Sequence, residues 1–72
     1  ADVLTTAYTA TRVQLAELVA AAKPGATGDA CATVAYGILT CALGSVFLGD
    51  FDPDPVRRDR SRAAAEALLA TL

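Results

Sequence analysis

The stretch that decides the fold is ACATVAYGILTCALGSVFLG, residues 30–49, which contains no charged side chain. Asp29 precedes this stretch as a candidate N-cap, and Gly49 ends it. The stretch therefore predicts one helix over about 30–48. A helix that is apolar on every side is buried on every side. Other helices or a partner chain are therefore expected to cover it.

The segment before it predicts an amphipathic helix over about 3–22, with Asp2 as its N-cap. Its apolar stripe advances by alternating steps of four and three through Leu4, Tyr8, Thr11, Leu15, Leu18 and Ala22. The polar residues off that stripe are expected to face water: Arg12, Gln14 and Glu17.

The last segment predicts a helix over about 55–71, with Asp54 as N-cap and Pro55 in the first helical position. The Pro- and Gly-containing turns at 23–28 and 49–54 are short, which makes neighbouring helices antiparallel. The predicted fold class is all-α, with three helices.

Composition limits what so small a chain does. The 72 residues include no histidine, which excludes Ser-His-Asp and Cys-His catalysis and imidazole metal ligands. We therefore expect no enzyme and no cofactor or metal. The pI of about 4.7 disfavours direct contact with nucleic acid, so DNA is expected to be reached only through a domain outside these residues.

The two cysteines, Cys41 and Cys31, are ten residues apart in the same helix. That spacing separates them by about 15 Å, too far for a disulfide. Two buried thiols in a reducing cytoplasm are the favoured interpretation, and a bridge between two copies is the alternative. No secretory signal is visible at the start, so a cytoplasmic location is expected.

Three further motifs favour structural roles. Asp50-x-Asp52-x-Asp54 begins like a calcium loop, but Pro55 and Ser61 stand where Gly and Glu are needed. Gly25-Ala-Thr-Gly28 lacks the Lys-Ser/Thr ending of a phosphate loop. The arginines within 57–62 are interleaved with acids, as in a solvated helix start.

Hydrophobic content predicts a partner chain. Hydrophobic residues make up 54% of the chain, and a compact globule of this mass exposes only roughly 4,200 Å². Small residues recur along one side of the second helix, where another helix could approach closely. We predict a homodimer whose interface comprises Thr33, Gly37, Cys41, Gly44, Ser45 and Leu48, with Ala63 and Ala67 of the third helix.

The polar-tipped residues on otherwise apolar faces predict a ligand pocket between the first two helices. They are Tyr8, Thr11, Tyr36 and Thr40, with Phe47 beside them. Because no ionisable side chain is expected there, the predicted effector is an apolar or weakly polar small molecule. The alternative is that the hydroxyl groups bond only to backbone.

The order of segments resembles the last three helices of a TetR-family transcriptional repressor. The resemblance rests on Leu15-Ala-Glu-Leu-Val-Ala-Ala-Ala22, Val46-Phe-Leu-Gly-Asp50, Asp52-Pro-Asp-Pro-Val-Arg-Arg58 and Arg62-Ala-Ala-Ala-Glu-Ala-Leu-Leu-Ala70. It implies that two helices of each subunit form a four-helix bundle across a homodimer axis. It also implies that the preceding helix walls an effector pocket, and that a helix-turn-helix elsewhere binds the operator.

Two alternatives to a TetR-like repressor stay open. One is a free-standing helical module that dimerises and senses nothing. The other is a small membrane protein, because residues 30–49 are long enough to span a bilayer. That run has Asp29 and Asp50 at its ends and lacks flanking Lys or Arg, so no membrane contact is expected.

Overall fold

The computed structural model describes residues 2–72, and this range contains three α-helices and no strand. The helices are α1 (Asp2–Ala22), α2 (Gly28–Phe47) and α3 (Arg57–Ala70), and a 3₁₀ turn over Leu48–Asp50 continues α2. The predicted all-helical class is confirmed. Each predicted boundary lies within two residues of the observed one.

The start of α2 differs from the prediction. The Oγ1 atom of Thr27 accepts a hydrogen bond from the Ala30 N–H at 3.1 Å, which makes Thr27 the N-cap. Asp29 lies inside the first turn instead, where its carboxylate interacts favourably with the helix dipole. Asp2 is likewise inside the first turn of α1 rather than before it.

The start of α3 also differs, because two aspartates hold the chain in turns. Asp52 Oδ1 accepts the Asp54 N–H and Asp54 Oδ1 accepts the Val56 N–H, both at 2.9 Å. Aspartate side chains that bond the backbone two residues on stabilise a turn in competition with a helix. The helix therefore starts at Arg57 rather than at Pro55.

The core lies at one end of the molecule, where α1 and α3 both contact α2. Its fully buried side chains within residues 2–72 are Val19, Cys31, Val34 and Ala35. Further apolar residues pack around them, among them Leu15 of α1 and Leu68 of α3. We call this the closed end.

The other end is less covered: α3 still contacts α2 there through Ser61 and Cys41, but no side chain is buried. It comprises the first half of α1, the second half of α2 and the turn after it, and we call it the open end. The Cα atoms extend over 39 × 32 × 13 Å, so the chain is flat. The accessible surface of 5222 Å² exceeds that of a compact chain of this mass by about 1,000 Å².

Candidate functional site

The small residues of α2 are divided between α3 of the same chain and open surface. A Cβ atom placed on Gly37 would lie 2.8 Å from Leu68 Cδ1, so α3 approaches closely there. Ser61 Oγ donates a hydrogen bond to the Cys41 carbonyl at 2.9 Å. Gly37 and Cys41, both in the predicted dimer interface, therefore pack against their own chain.

The rest of the predicted interface is more accessible. A Cβ on Gly44 would meet nothing within 4 Å, and Ser45 is half-buried along a groove shared with α3. The remaining four residues are exposed: Thr33, Leu48, Ala63 and Ala67. Their contact with a second copy stays a prediction.

The residues predicted to line a ligand pocket separate into two groups. Tyr8 and Thr11 line a cleft of about 340 Å³ between α1 and α2, together with Leu39 and Leu43. Tyr36, Thr40 and Phe47 do not line it. They lie on the side of α2 that faces away from the buried Cys31 and Ala35, because successive residues advance by about 100° around a helix.

The two threonine hydroxyl groups bond to their own helices. Thr11 Oγ1 donates to the Ala7 carbonyl at 2.9 Å, and Thr40 Oγ1 donates to the Tyr36 carbonyl at 2.8 Å. Each hydroxyl hydrogen is therefore occupied, and only the oxygen lone pairs remain for a ligand. The Tyr8 cleft is accordingly apolar, with the Thr11 oxygen as an acceptor and the Tyr8 hydroxyl as both donor and acceptor.

One continuous line of exposed residues follows the outer side of α2. Its members are separated by alternating steps of three and four residues: Thr33, Tyr36, Thr40, Leu43 and Phe47. We call this line the outer seam. Tyr36, Leu43 and Phe47 are 55%, 51% and 69% exposed. Steps of three and four place side chains along one seam that another helix can pack against.

The open end continues the seam into a wider apolar area. The Phe47 and Phe51 rings lie with centroids 5.4 Å apart and planes tilted by 35°. Leu4 of α1 lines the same cleft as Leu43, and Val46 is 80% exposed. Neighbouring exposed apolar residues of this kind are typical of interaction surfaces.

Sequence reasoning missed the position of Arg12. This side chain is half-buried, and it lines a second cleft of about 260 Å³ between α1 and α2. Its Nε atom is buried and has no hydrogen-bond partner among the described residues. Arg12 lies three residues before Leu15 and seven before Val19, and this spacing could have placed it on the α2-facing side.

The arginines at the start of α3 are bonded within their own segment. Arg60 Nε lies 2.7 Å from Asp54 Oδ2, and Arg57 Nη1 donates to the Asp52 carbonyl at 3.1 Å. The Val56 N–H bond and then the Arg60 guanidinium hold the pKa of the Asp54 carboxyl below its ordinary value. These contacts fasten the turn to α3.

Neither the cysteines nor the acids form a metal site in the described part of the chain. Cys31 is a buried free thiol and Cys41 a half-buried one. Within residues 2–72, no three Cys, Asp or Glu side chains converge as metal ligands. Gly28–Asp50 forms one segment long and apolar enough to cross a membrane, with mean hydropathy 1.8, which by itself is weak support for a span.

No protein-family model matches this chain, and no curated protein or solved structure matches it either.

Proposed function

We propose that this chain is the dimerisation and small-molecule-sensing region of a TetR-like transcriptional repressor. In this proposal two copies pair through the outer seam of α2, and α2 and α3 of each copy form a four-helix bundle. The operator-binding helix-turn-helix belongs to residues outside these 72. The chain performs no catalysis, carries no cofactor and works in the cytoplasm.

The outer seam is the observation that carries the dimer. Seam residues at heptad spacing are exposed although two of them are aromatic and one is leucine. Of the seam residues only Leu43 borders α1, at the edge of the Tyr8 cleft, and all five are exposed, so a second α2 has access to the seam. Aromatic side chains at the centre of an interface contribute most of its binding free energy.

The size of the uncovered surface fits a second copy. A stable dimer buries about 800 Å² on each partner, and this chain exposes about 1,000 Å² more than a compact one of its mass. Gly44 lies beside the seam with open space before it, which permits close helix approach. Ala63 and Ala67 of α3 are exposed, and their short side chains also permit a helix to approach closely.

The sensing role is assigned to α1, which forms both clefts with α2. The cleft at Tyr8 and Thr11 is apolar, which suits an apolar effector. An effector held there would contact Leu43, a seam residue. Binding and dimer geometry would therefore be coupled through one side chain.

Sedimentation equilibrium at micromolar concentration tests the dimer. We expect the chain to sediment as a dimer and Phe47→Ser to raise the dissociation constant at least tenfold, about 1.4 kcal/mol. Leu18→Ser is the matched control, since Leu18 is about as exposed as Phe47, at 67% against 69%, but lies in the second half of α1, outside both the seam and the open end. Its dissociation constant should stay within threefold of the parent value.

Four outcomes would overturn the proposal in whole or in part. A folded monomer at micromolar concentration would remove the dimer. Equal weakening by both substitutions would show that the seam is the wrong face. Recovery of the chain with lipid vesicles instead of in the dimeric fraction would favour the membrane protein. A stable dimer that binds no small molecule would remove the sensing role and favour the free-standing interaction module.

A further inference from the structure

The second cleft between α1 and α2 combines an apolar floor with an arginine. Small side chains form the floor, namely Ala16 and Ala20 of α1 and Cys31 and Ala32 of α2. Arg12 lies at one end and Val13 beside it. Along α1, Arg12 and Ala20 are separated by about 12 Å, so the cleft is long, narrow and charged at one end.

Arg12 has no ionic partner among the described residues. The ion pairs within residues 2–72 lie between Asp54 and Arg60 and between Asp59 and Arg62, in the opposite part of the chain. The Arg12 Nε is buried without a hydrogen-bond acceptor. Because that Nε is buried, a carboxylate in the cleft would contact the two terminal Nη groups, whose parallel N–H donors match its planar, bidentate geometry.

Glu17 also borders the cleft but does not neutralise Arg12. It is exposed, and it follows Arg12 by five residues, which places it roughly 140° away around α1. Its charge lies on the far rim, where it repels a second negative group. The cleft is therefore suited to one carboxylate, held at the Arg12 end, and to a neutral remainder.

We propose that this cleft binds a small monocarboxylate with an unbranched apolar chain, the carboxylate paired with Arg12 and the chain lying over Ala16 and Ala20. The volume of about 260 Å³ is slightly below the usual range of about 300–1,000 Å³ for small-molecule sites, so a medium-length chain fills the cleft. This site is separate from the outer seam, and its occupancy does not require the dimer.

Isothermal titration with decanoate below its micelle concentration, and with decanol as the uncharged analogue, tests the site. We expect decanoate to bind at least tenfold more tightly than decanol. Arg12→Gln should remove that preference and leave decanol binding unchanged, which also shows that the variant is folded. Arg12→Lys keeps the charge but loses the bidentate geometry. Its decanoate affinity should therefore fall between that of the parent chain and that of Arg12→Gln.

Arg62→Gln is the control, because Arg62 is exposed on α3 and its replacement should change neither affinity. Equal affinity for decanoate and decanol would contradict the role of the carboxylate. Unchanged decanoate binding in Arg12→Gln would contradict the role of Arg12. Absence of decanoate binding by a chain that still dimerises would remove this site and leave the proposed dimer intact.

Discussion

The closed end and the open end of the molecule share the same central helix and differ in what covers it. At the closed end, α1 and α3 bury Val34 and Ala35 of α2 to 6% and 0% exposure. At the open end, Val46 and Phe47 of that helix remain 80% and 69% exposed. From Ala30 to its end the sequence of α2 carries no charge. The difference therefore lies in the neighbours, and only the outer seam, which includes the 55% exposed Tyr36, stays open at both ends.

Two valines of α2 give the sharpest separation of the two ends. Val34→Asp places an unpaired charge in the core, which costs at least about 3 kcal/mol and should abolish cooperative folding of so small a chain. Val46→Asp places the same charge on open surface and should preserve the helical circular dichroism. Urea unfolding of both variants measures the effect. Equal loss of helix in both would show that the open end is as tightly packed as the closed end.

Two glycines of α2 separate the contact with α3 from the contact with a second copy. Gly37→Leu drives a side chain into Leu68 and should destabilise the folded chain by about 1–3 kcal/mol. A Cβ atom on Gly44 meets nothing within 4 Å, so Gly44→Leu should leave folding intact and weaken the dimer. Thermal melts and sedimentation distinguish the two effects. Full dimerisation of Gly44→Leu would mean that the partner does not approach that side of α2.

The residue that caps α2 supplies a smaller test at the closed end. Thr27→Ala removes the oxygen that accepts the Ala30 N–H and should cost about 1 kcal/mol. Asp29→Ala loses only an interaction with the helix dipole, about 0.3–1 kcal/mol. Chemical denaturation with guanidinium ranks the two variants. A larger loss for Asp29→Ala would restore the cap expected from the sequence.

The acid dependence of the turn before α3 is the smallest expected effect. The pKa of Asp54 is lowered in the folded chain, so its ionised carboxylate contributes to stability. That contribution is complete above the unfolded pKa near 3.8 and is lost as pH falls through the lower folded pKa. The Val56 amide resonance should shift with that transition when followed from pH 6 downwards. Asp54→Asn keeps the acceptor and should abolish the shift. A shift that survives in Asp54→Asn would assign it to another carboxyl.

Residue types alone predicted three helices, because two Pro- and Gly-containing turns divide the chain into three segments. The middle segment is a charge-free run. They did not predict the exact starts of α2 and α3. Thr27 and Asp29 are both good caps, and the turn formed by Asp52 and Asp54 competes with the helix that Pro55 could begin. Local sequence cannot decide between such competing hydrogen bonds.

The candidate sites were harder to predict, because they depend on how the helices rotate against one another. The stripe drawn through Tyr8 and Thr11 left Arg12 on the water side, yet the crossing of α1 over α2 half-buries it. Tyr36 was expected to face α1, but it is exposed because Cys31 and Ala35 occupy the buried side of α2. The spacing of Arg12 from Leu15 and Val19 carried the first of these placements, whereas the rotation that exposes Tyr36 is set by packing across the core.

The central claim is that the outer seam of α2 contacts the same seam of a second copy. Isotope-filtered nuclear Overhauser spectroscopy on a mixture of labelled and unlabelled chains tests it most directly. We predict intermolecular signals from Phe47 and Tyr36 and none from Val34, which is buried within its own chain. Intermolecular signals confined to other surfaces, or none at a concentration where the chain is fully folded, would contradict the claim.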